Sequence, residues 1–241
     1  MGGVINVALR RDSMESRKRI LSACVKLFIE KGYNSTTMAE IVSEANVSNS
    51  TFQNLFRSKS GVLMDLVEFM FRNQFGITRK IVDEDEIPAL VYAVETAIQM
   101  TLTELNENLR EIYVEAYTNA ATADYIAQKT SAELYKIFGV YMPECSESDF
   151  YELDIGTGGM MRGYMERPCD QYFTLEKKLE RFLTMTLKTY CVPEKDIDTI
   201  IAFVLKTDIR MVANKVMEKL FSELAMQFEF ELDEIKKEDA V

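Results

Sequence analysis

Only four prolines punctuate the 241 residues, at 88, 143, 168 and 193, and each stands where a helical pattern stops or starts. Proline breaks a helix interior by removing a donor and clashing with the preceding turn, so the long proline-free stretches leave helices uninterrupted. Within those stretches apolar residues recur with a period near 3.6. No pair of alternating apolar runs joined by Asn-Gly or Asp-Gly signals a hairpin. The expectation is an all-α chain.

Individual helices can be placed from their caps. Asp12-Ser-Met-Glu15 has capping-box spacing and predicts a first helix from Asp12 or Ser13, with Ile20, Cys24, Leu27 and Phe28 on one face and an end at Lys31-Gly32. A second box, Thr37-Met-Ala-Glu40, opens a short helix that buries Met38, Ile41, Val42 and Ala45. Asn46, a residue type that tolerates the left-handed region, sits in the turn. Ser48 is placed to cap a third helix through Phe56, with Val47, Phe52, Leu55 and Phe56 available to the core. Ser58 is placed to cap a fourth, carrying Leu63, Leu66, Val67, Met70 and Phe71. The acidic run Asp83–Glu86 before Pro88 looks like another helix start. Helices are expected over 88–106, 108–121, 123–138, 147–166, 170–191 and 194–224, with a tight corner at Cys191-Val192-Pro193 and a fraying tail from Glu229 to Val241. A boundary near residue 80 divides a first domain, 1–80, from a second, 81–241.

Charge follows the same division. Residues 1–80 carry 12 Lys or Arg and 7 Asp or Glu, a net +5; residues 81–241 carry 16 and 32, a net −16. The basic part is the candidate for phosphate contact although the whole chain stands at −11. The chain has no histidine, which removes imidazole bases, Ser-His-Asp and Cys-His nucleophile systems and His-based zinc sites. Cys24, Cys145, Cys169 and Cys191 form no Cys-x-x-Cys pair and read as thiols. No run approaches the roughly 18 apolar residues of a membrane span, and the first residues do not read as a signal peptide. The expectations are a cytoplasmic protein with no membrane partner, no metal and no cofactor, and not an enzyme.

Two short helices joined by the turn Ala45-Asn-Val-Ser48 have the layout of a DNA-binding helix-turn-helix. The second presents Ser48, Asn49, Ser50, Thr51, Gln53 and Asn54, side chains able to reach base edges or phosphate in a major groove. Thr37 and Lys59 flank the pair, where helix N-termini and a positive charge suit phosphate oxygens. Polar short helices are also common in chains that bind no DNA. Arg19 to Tyr33, Ser35 to Ile41, Asn46 to Thr51 and Phe56-Arg-Ser-Lys59 together resemble the N-terminal domain of TetR-family regulators over about residues 14–67. The resemblance implies a three-helix DNA-binding domain on a larger helical domain that dimerises and binds a small-molecule effector. It further implies a homodimer on a near-palindromic double-stranded operator, acting as a repressor whose DNA affinity the effector alters. Three positions depart from the family pattern: Asn46 stands for Gly, Gln53 for a phosphate-contacting Tyr, and Leu55 for His.

The remainder has no motif of that quality. Gly156-Thr-Gly-Gly-Met-Met-Arg-Gly163 places Met161 where a dinucleotide fingerprint needs Gly, and it follows no strand. Tyr113, Tyr117, Tyr141, Phe150, Met160, Met161 and Tyr164 are the candidates for a largely apolar effector pocket, although such a stripe also builds plain core. Apolar stripes near 170–191 and 194–224 suit a twofold four-helix interface between two copies, or packing within one. The competing functional reading is a helical ligand-binding or interaction module that has lost sequence-specific DNA binding.

Overall fold

In a computed structural model of the chain the described residues are 2–72 and 87–230, with side chains described over 12–71 and 87–230. Among them lie 11 helices and no strand: α1 (Gly2–Lys31), α2 (Met38–Glu44), α3 (Asn49–Leu55), α4 (Lys59–Arg72), α5 (Ala89–Leu105), α6 (Glu107–Thr118), α7 (Ala120–Phe138), α8 (Glu147–Glu166), α9 (Leu175–Thr189), α10 (Glu194–Lys206) and α11 (Ile209–Phe228). They divide into two compact units: the described parts of 1–66 with 218–241, and of 67–217. The division falls inside α4 and inside α11, and the boundary expected near residue 80 lies outside the described residues, as do Asp83–Glu86 and the tail from 231 onward.

In the first unit α1 packs on α2 and α3. Ile20, Cys24, Phe28, Ile41, Phe52 and Leu63 are wholly removed from solvent. The Phe28 and Tyr33 rings meet at 4.9 Å where the chain turns after α1. Gly32, at φ 87°, ends that helix as its sequence position predicts. The start of α1 differs from expectation. The helix begins at Gly2, so the Asp12 box lies in its interior; no proline stands in residues 2–12 to stop the helix there.

In the second unit α5 is the central helix, packed by α6, α7, α8, α9 and α10. Its hydroxyls are satisfied within the helix: Thr96 bonds Tyr92 O at 2.9 Å and Thr101 bonds Ala97 O at 2.7 Å. Asn106 ends α5 and caps α6, accepting from Leu109 N at 2.9 Å, and Asn119 caps α7 in the same way. Two further boundaries differ from expectation. Asp170 folds 170–173 into a turn by accepting from Tyr172 N at 2.7 Å and Phe173 N at 2.8 Å, so α9 begins after its cap, Thr174. The helix expected over 194–224 is broken at Thr207, whose backbone is extended, and Asp208 accepts from Met211 N at 3.0 Å to start α11.

One buried charge cluster ties α5 to α9. Lys178 is completely buried; its ammonium donates to Glu104 and to the carbonyl of Arg167. The other oxygen of Glu104 accepts from Cys169 N at 2.9 Å and lies 3.6 Å from Arg110. Burial pushes the Glu104 carboxyl up, but Lys178, the Cys169 amide and Arg110 together hold it below the ordinary carboxylate range. Removing one partner of such a pair strands the other. Lys178→Met is expected to lower stability by about 3 kcal/mol in chemical denaturation, whereas Lys177→Met, at an exposed neighbour, changes it by less than about 0.5 kcal/mol.

Candidate functional site

The helix-turn-helix is assembled from caps and one buried face. Thr37 and Glu40 form the predicted capping box: Thr37 N donates to Glu40 Oε2 at 2.8 Å and Glu40 N to Thr37 Oγ1 at 3.3 Å. Lys31 also bonds Glu40; that bond, then those from Thr37, pull its carboxyl down to about 2. The N-terminus of α2 is thus occupied by the chain's own carboxylate. Asn46 takes φ 49° and its carbonyl accepts from Arg19 Nη1 at 3.0 Å, so α1 holds the turn. Ser48 caps α3 through Thr51 N at 3.1 Å, and its hydroxyl shares hydrogen bonds with those of Ser50 and Thr51 at 2.8 Å.

Phe52 anchors α3 on its inner side, next to Phe56 at 5.9 Å. On the outer side Asn49, Ser50, Gln53 and Asn54 are exposed at positions i, i+1, i+4 and i+5, one face of a helix; Ser48 is exposed at its start and Thr51 half-buried at its edge. Lys59 points back: its ammonium donates to the carbonyls of Tyr33 and Thr36, both at 2.8 Å, and lies 4.4 Å from the Tyr33 ring centre. Arg17 pairs with Asp65 at 2.5 Å and Lys26 with Glu44 at 3.5 Å. Arg57, directly after α3, is exposed at φ 64° and outside any ion pair among the described residues. It is a candidate phosphate contact that the sequence pattern did not single out.

A second feature lies within the 67–217 unit. A cleft opens among Tyr92, Glu95 and Gln99 of α5, Tyr117 of α6, Thr130 of α7, and Asp154, Thr157 and Met161 of α8. About 30 Å³ of it admits the centre of a water molecule, room for one or two waters. Thr130 donates to Asp154 Oδ2, and Thr157 donates to Oδ1 at 3.2 Å. With that proton committed, the 2.7 Å bond between Thr157 and Tyr190 has the Tyr190 phenol as donor. No basic side chain is paired with Asp154 among the described residues. Burial pushes its carboxyl up to about 6, against the opposite pull of the two threonine hydroxyls. Burial, then the Asp154 charge, raise the Tyr117 phenol; burial, then Glu95, raise that of Tyr113. Gln99 donates to Glu95 Oε1 at 2.9 Å.

The cleft gathers two of the seven aromatic and methionine candidates, Tyr117 and Met161. Phe150 is fully buried between Tyr135 at 5.7 Å and Tyr190 at 6.2 Å. Tyr141 lies beside Phe138, and Tyr164 beside Phe173 and Phe182. Tyr113 and Met160 are half-buried outside the lining.

Residues 20–66 match the model of bacterial regulatory proteins of the tetR family. Over that segment the chain is similar to the N-terminal domain of the TetR family. Among similar proteins of Bacillus subtilis (strain 168), the uncharacterized HTH-type transcriptional regulator YuxN is 33% identical over 97 residues, 40% of this chain and 31% of its own. The uncharacterized HTH-type transcriptional regulator YvkB is 42% identical over 62 residues, 26% of this chain and 33% of its own. The chain thus spans about a third of the length of these relatives. A solved gamma-butyrolactone receptor (ArpA-like protein) matches at TM-score 0.44 with 15% identity, over 84% of this chain and 99% of its own.

Outside the segment similar to the tetR family, the sequence pattern did not single out Glu95, Tyr92, Thr157 and above all Asp154. The signal for Asp154 was present: Phe150, Asp154, Thr157, Met161 and Met165 fall at helical spacing, and all but Asp154 are buried. A carboxylate in the inward stripe of a helix is the anomaly to follow. The raised value of Asp154 makes stability depend on pH. Below about pH 4 the group is protonated folded and unfolded and costs nothing; above about pH 6 the folded state bears an ionisation penalty that the unfolded state does not. Stability should therefore fall as pH rises through that window. Asp154→Asn should remove the slope and raise stability at neutral pH by about 2 kcal/mol, as read by urea denaturation at both ends of the window.

Proposed function

We propose that the protein is a transcription regulator, acting as a repressor, that binds a near-palindromic double-stranded operator as a homodimer and changes its DNA affinity when a small molecule enters the cleft. The observation that carries this reading is the exposed face of α3, polar throughout and set on a seated helix-turn-helix. Ser48, Asn49, Ser50, Thr51, Gln53 and Asn54 are the proposed groove contacts, with Thr37, Arg57 and Lys59 flanking them. Asparagine and glutamine amides suit adenine edges, and the hydroxyls serve bases or phosphate. Residues 1–80 are the proposed DNA-binding domain; 81–241 are the proposed effector and dimerisation domain.

The proposed dimer uses helices within 170–191 and 194–224. Met185 of α9, Leu205 of α10 and Met211 of α11 are large apolar side chains left 46%, 41% and 49% exposed, which supports an uncovered apolar surface there. A dimer would present two recognition helices to successive major grooves about 34–36 Å apart, and a ligand favouring another spacing would lower affinity by shifting populations. The effector is proposed to be a largely apolar small molecule. A module without sequence-specific DNA binding is the competing reading, supported by Gln53 in place of the family's Tyr and by the internal bonds of Lys59.

Thr51→Ala combined with Gln53→Ala should weaken operator binding by about a hundredfold or more, with helical content and dimer mass unchanged. Wild-type affinity should also fall linearly on a log–log plot against salt, as phosphate contacts require. Unchanged operator affinity in the double variant would show that α3 does not read the operator, and absence of DNA binding at any salt would favour the module.

A further inference from the structure

We propose that the cleft of the 67–217 unit takes the head of a small organic cation, an amine or quaternary ammonium group on an apolar body, with Asp154 as its counter-charge. The proposal rests on the effector reading above and adds the chemical class of the effector.

The sign of the lining is the first argument. Among the described residues, Asp154 and Glu95 both line the cleft and no lysine or arginine does. A ligand entering with a carboxylate or phosphate would meet two acidic side chains and no basic one, a repulsion strengthened by the lowered dielectric. A neutral ligand would leave Asp154 uncompensated. A cation removes the mismatch.

The second argument is the unused capacity of Asp154. Its partners among the described residues are the two threonine hydroxyls, which leave a carboxylate with lone pairs to spare and no described cation beside it. A half-buried carboxylate with no cation beside it among the described residues is retained at a cost to the fold, and clefts are where such groups act on ligands.

The aromatic lining supplies the third. Tyr92 and Tyr117 stand on neighbouring helices at the same cleft. Ring faces attract ammonium groups, so phenol rings beside a carboxylate recognise a cation twice over. Gly158, whose added Cβ would sit 3.5 Å from the Tyr117 ring, leaves that ring uncrowded from α8. Met161 offers an adaptable apolar wall for the body of the ligand. The opening has room for one or two waters, so a compact head group fits first and the body lies toward the mouth or moves Met161.

The test uses three probes of one shape and different charge: benzylammonium, benzyl alcohol and benzoate. Each is titrated calorimetrically into the full-length protein and into Asp154→Asn and Glu95→Gln. Operator affinity is then measured with and without benzylammonium. The expected result is preferential binding of benzylammonium, weakened about tenfold or more by Asp154→Asn and less by Glu95→Gln, with benzyl alcohol unaffected. Because Asp154→Asn is expected to stabilise the fold, lost affinity in that variant is not lost structure. Equal or tighter binding of benzyl alcohol or benzoate, or benzylammonium affinity indifferent to Asp154→Asn, overturns the cationic class while leaving an effector cleft in place. No binding of any probe overturns the class as well. Cation binding that leaves operator affinity unchanged upholds the site chemistry and contradicts the effector reading.

Discussion

A seven-residue helix does not persist in water, because nucleation costs more than so few hydrogen bonds return. Both helices of the helix-turn-helix are of that length. Their existence depends on Ile41 and Phe52 being seated against α1, and on caps that satisfy the backbone groups a short helix leaves open. Everything the first unit offers to a groove follows from that dependence. Phe52 inside fixes Asn49, Gln53 and Asn54 outside, and the Arg19 bond to the Asn46 carbonyl fixes where α3 starts. Much of the positive charge nearby serves this assembly: Lys59 clamps Tyr33 and Thr36, Lys31 holds Glu40, and Arg17 holds Asp65.

The second unit handles buried charge in two opposite ways. Around Glu104 every charge has a partner, and the cluster joins α9 to the central helix. Around Asp154 the partners among the described residues are hydroxyls alone. Two carboxylates on one helical unit thus take opposite shifts, one held down by cations and one pushed up by burial. The first arrangement is that of a structural tie; the second leaves capacity for something from outside the chain. The aromatic cluster of Tyr92, Phe138 and Tyr190, with Phe138 and Tyr190 stacked at 4.2 Å, adjoins it through Tyr92 in the cleft lining and the Tyr190 bond to Thr157.

Local chemistry was the part legible in the sequence. Capping at Thr37 and Ser48, the left-handed turn at Asn46, the helix end at Gly32 and the inward Phe52 each follow from a residue type in a short-range pattern. The errors came where patterns were read too smoothly. A capping box at Asp12 is only an option, which the chain declines when the preceding residues also form helix. Thr207-Asp208 interrupts an otherwise continuous apolar stripe because an aspartate can start a helix as well as ride on one. The cleft was least legible. Aromatic and methionine richness marks core and pocket alike, so Phe150 and Tyr164 could not be told from Tyr117. The distinguishing residue was a charged one in an apolar row, and its meaning depends on Thr130, 24 residues before it, and on Tyr190, which bonds Thr157 across 33 residues of chain.

The most direct test of the central claim is to retain sheared DNA from the source genome on the purified protein at moderate salt and sequence what stays bound. A dimeric reader of base edges predicts enrichment of one short near-palindrome whose half-sites lie one helical turn apart. Retention without any common sequence, or none at all by a folded and dimeric protein, would contradict it.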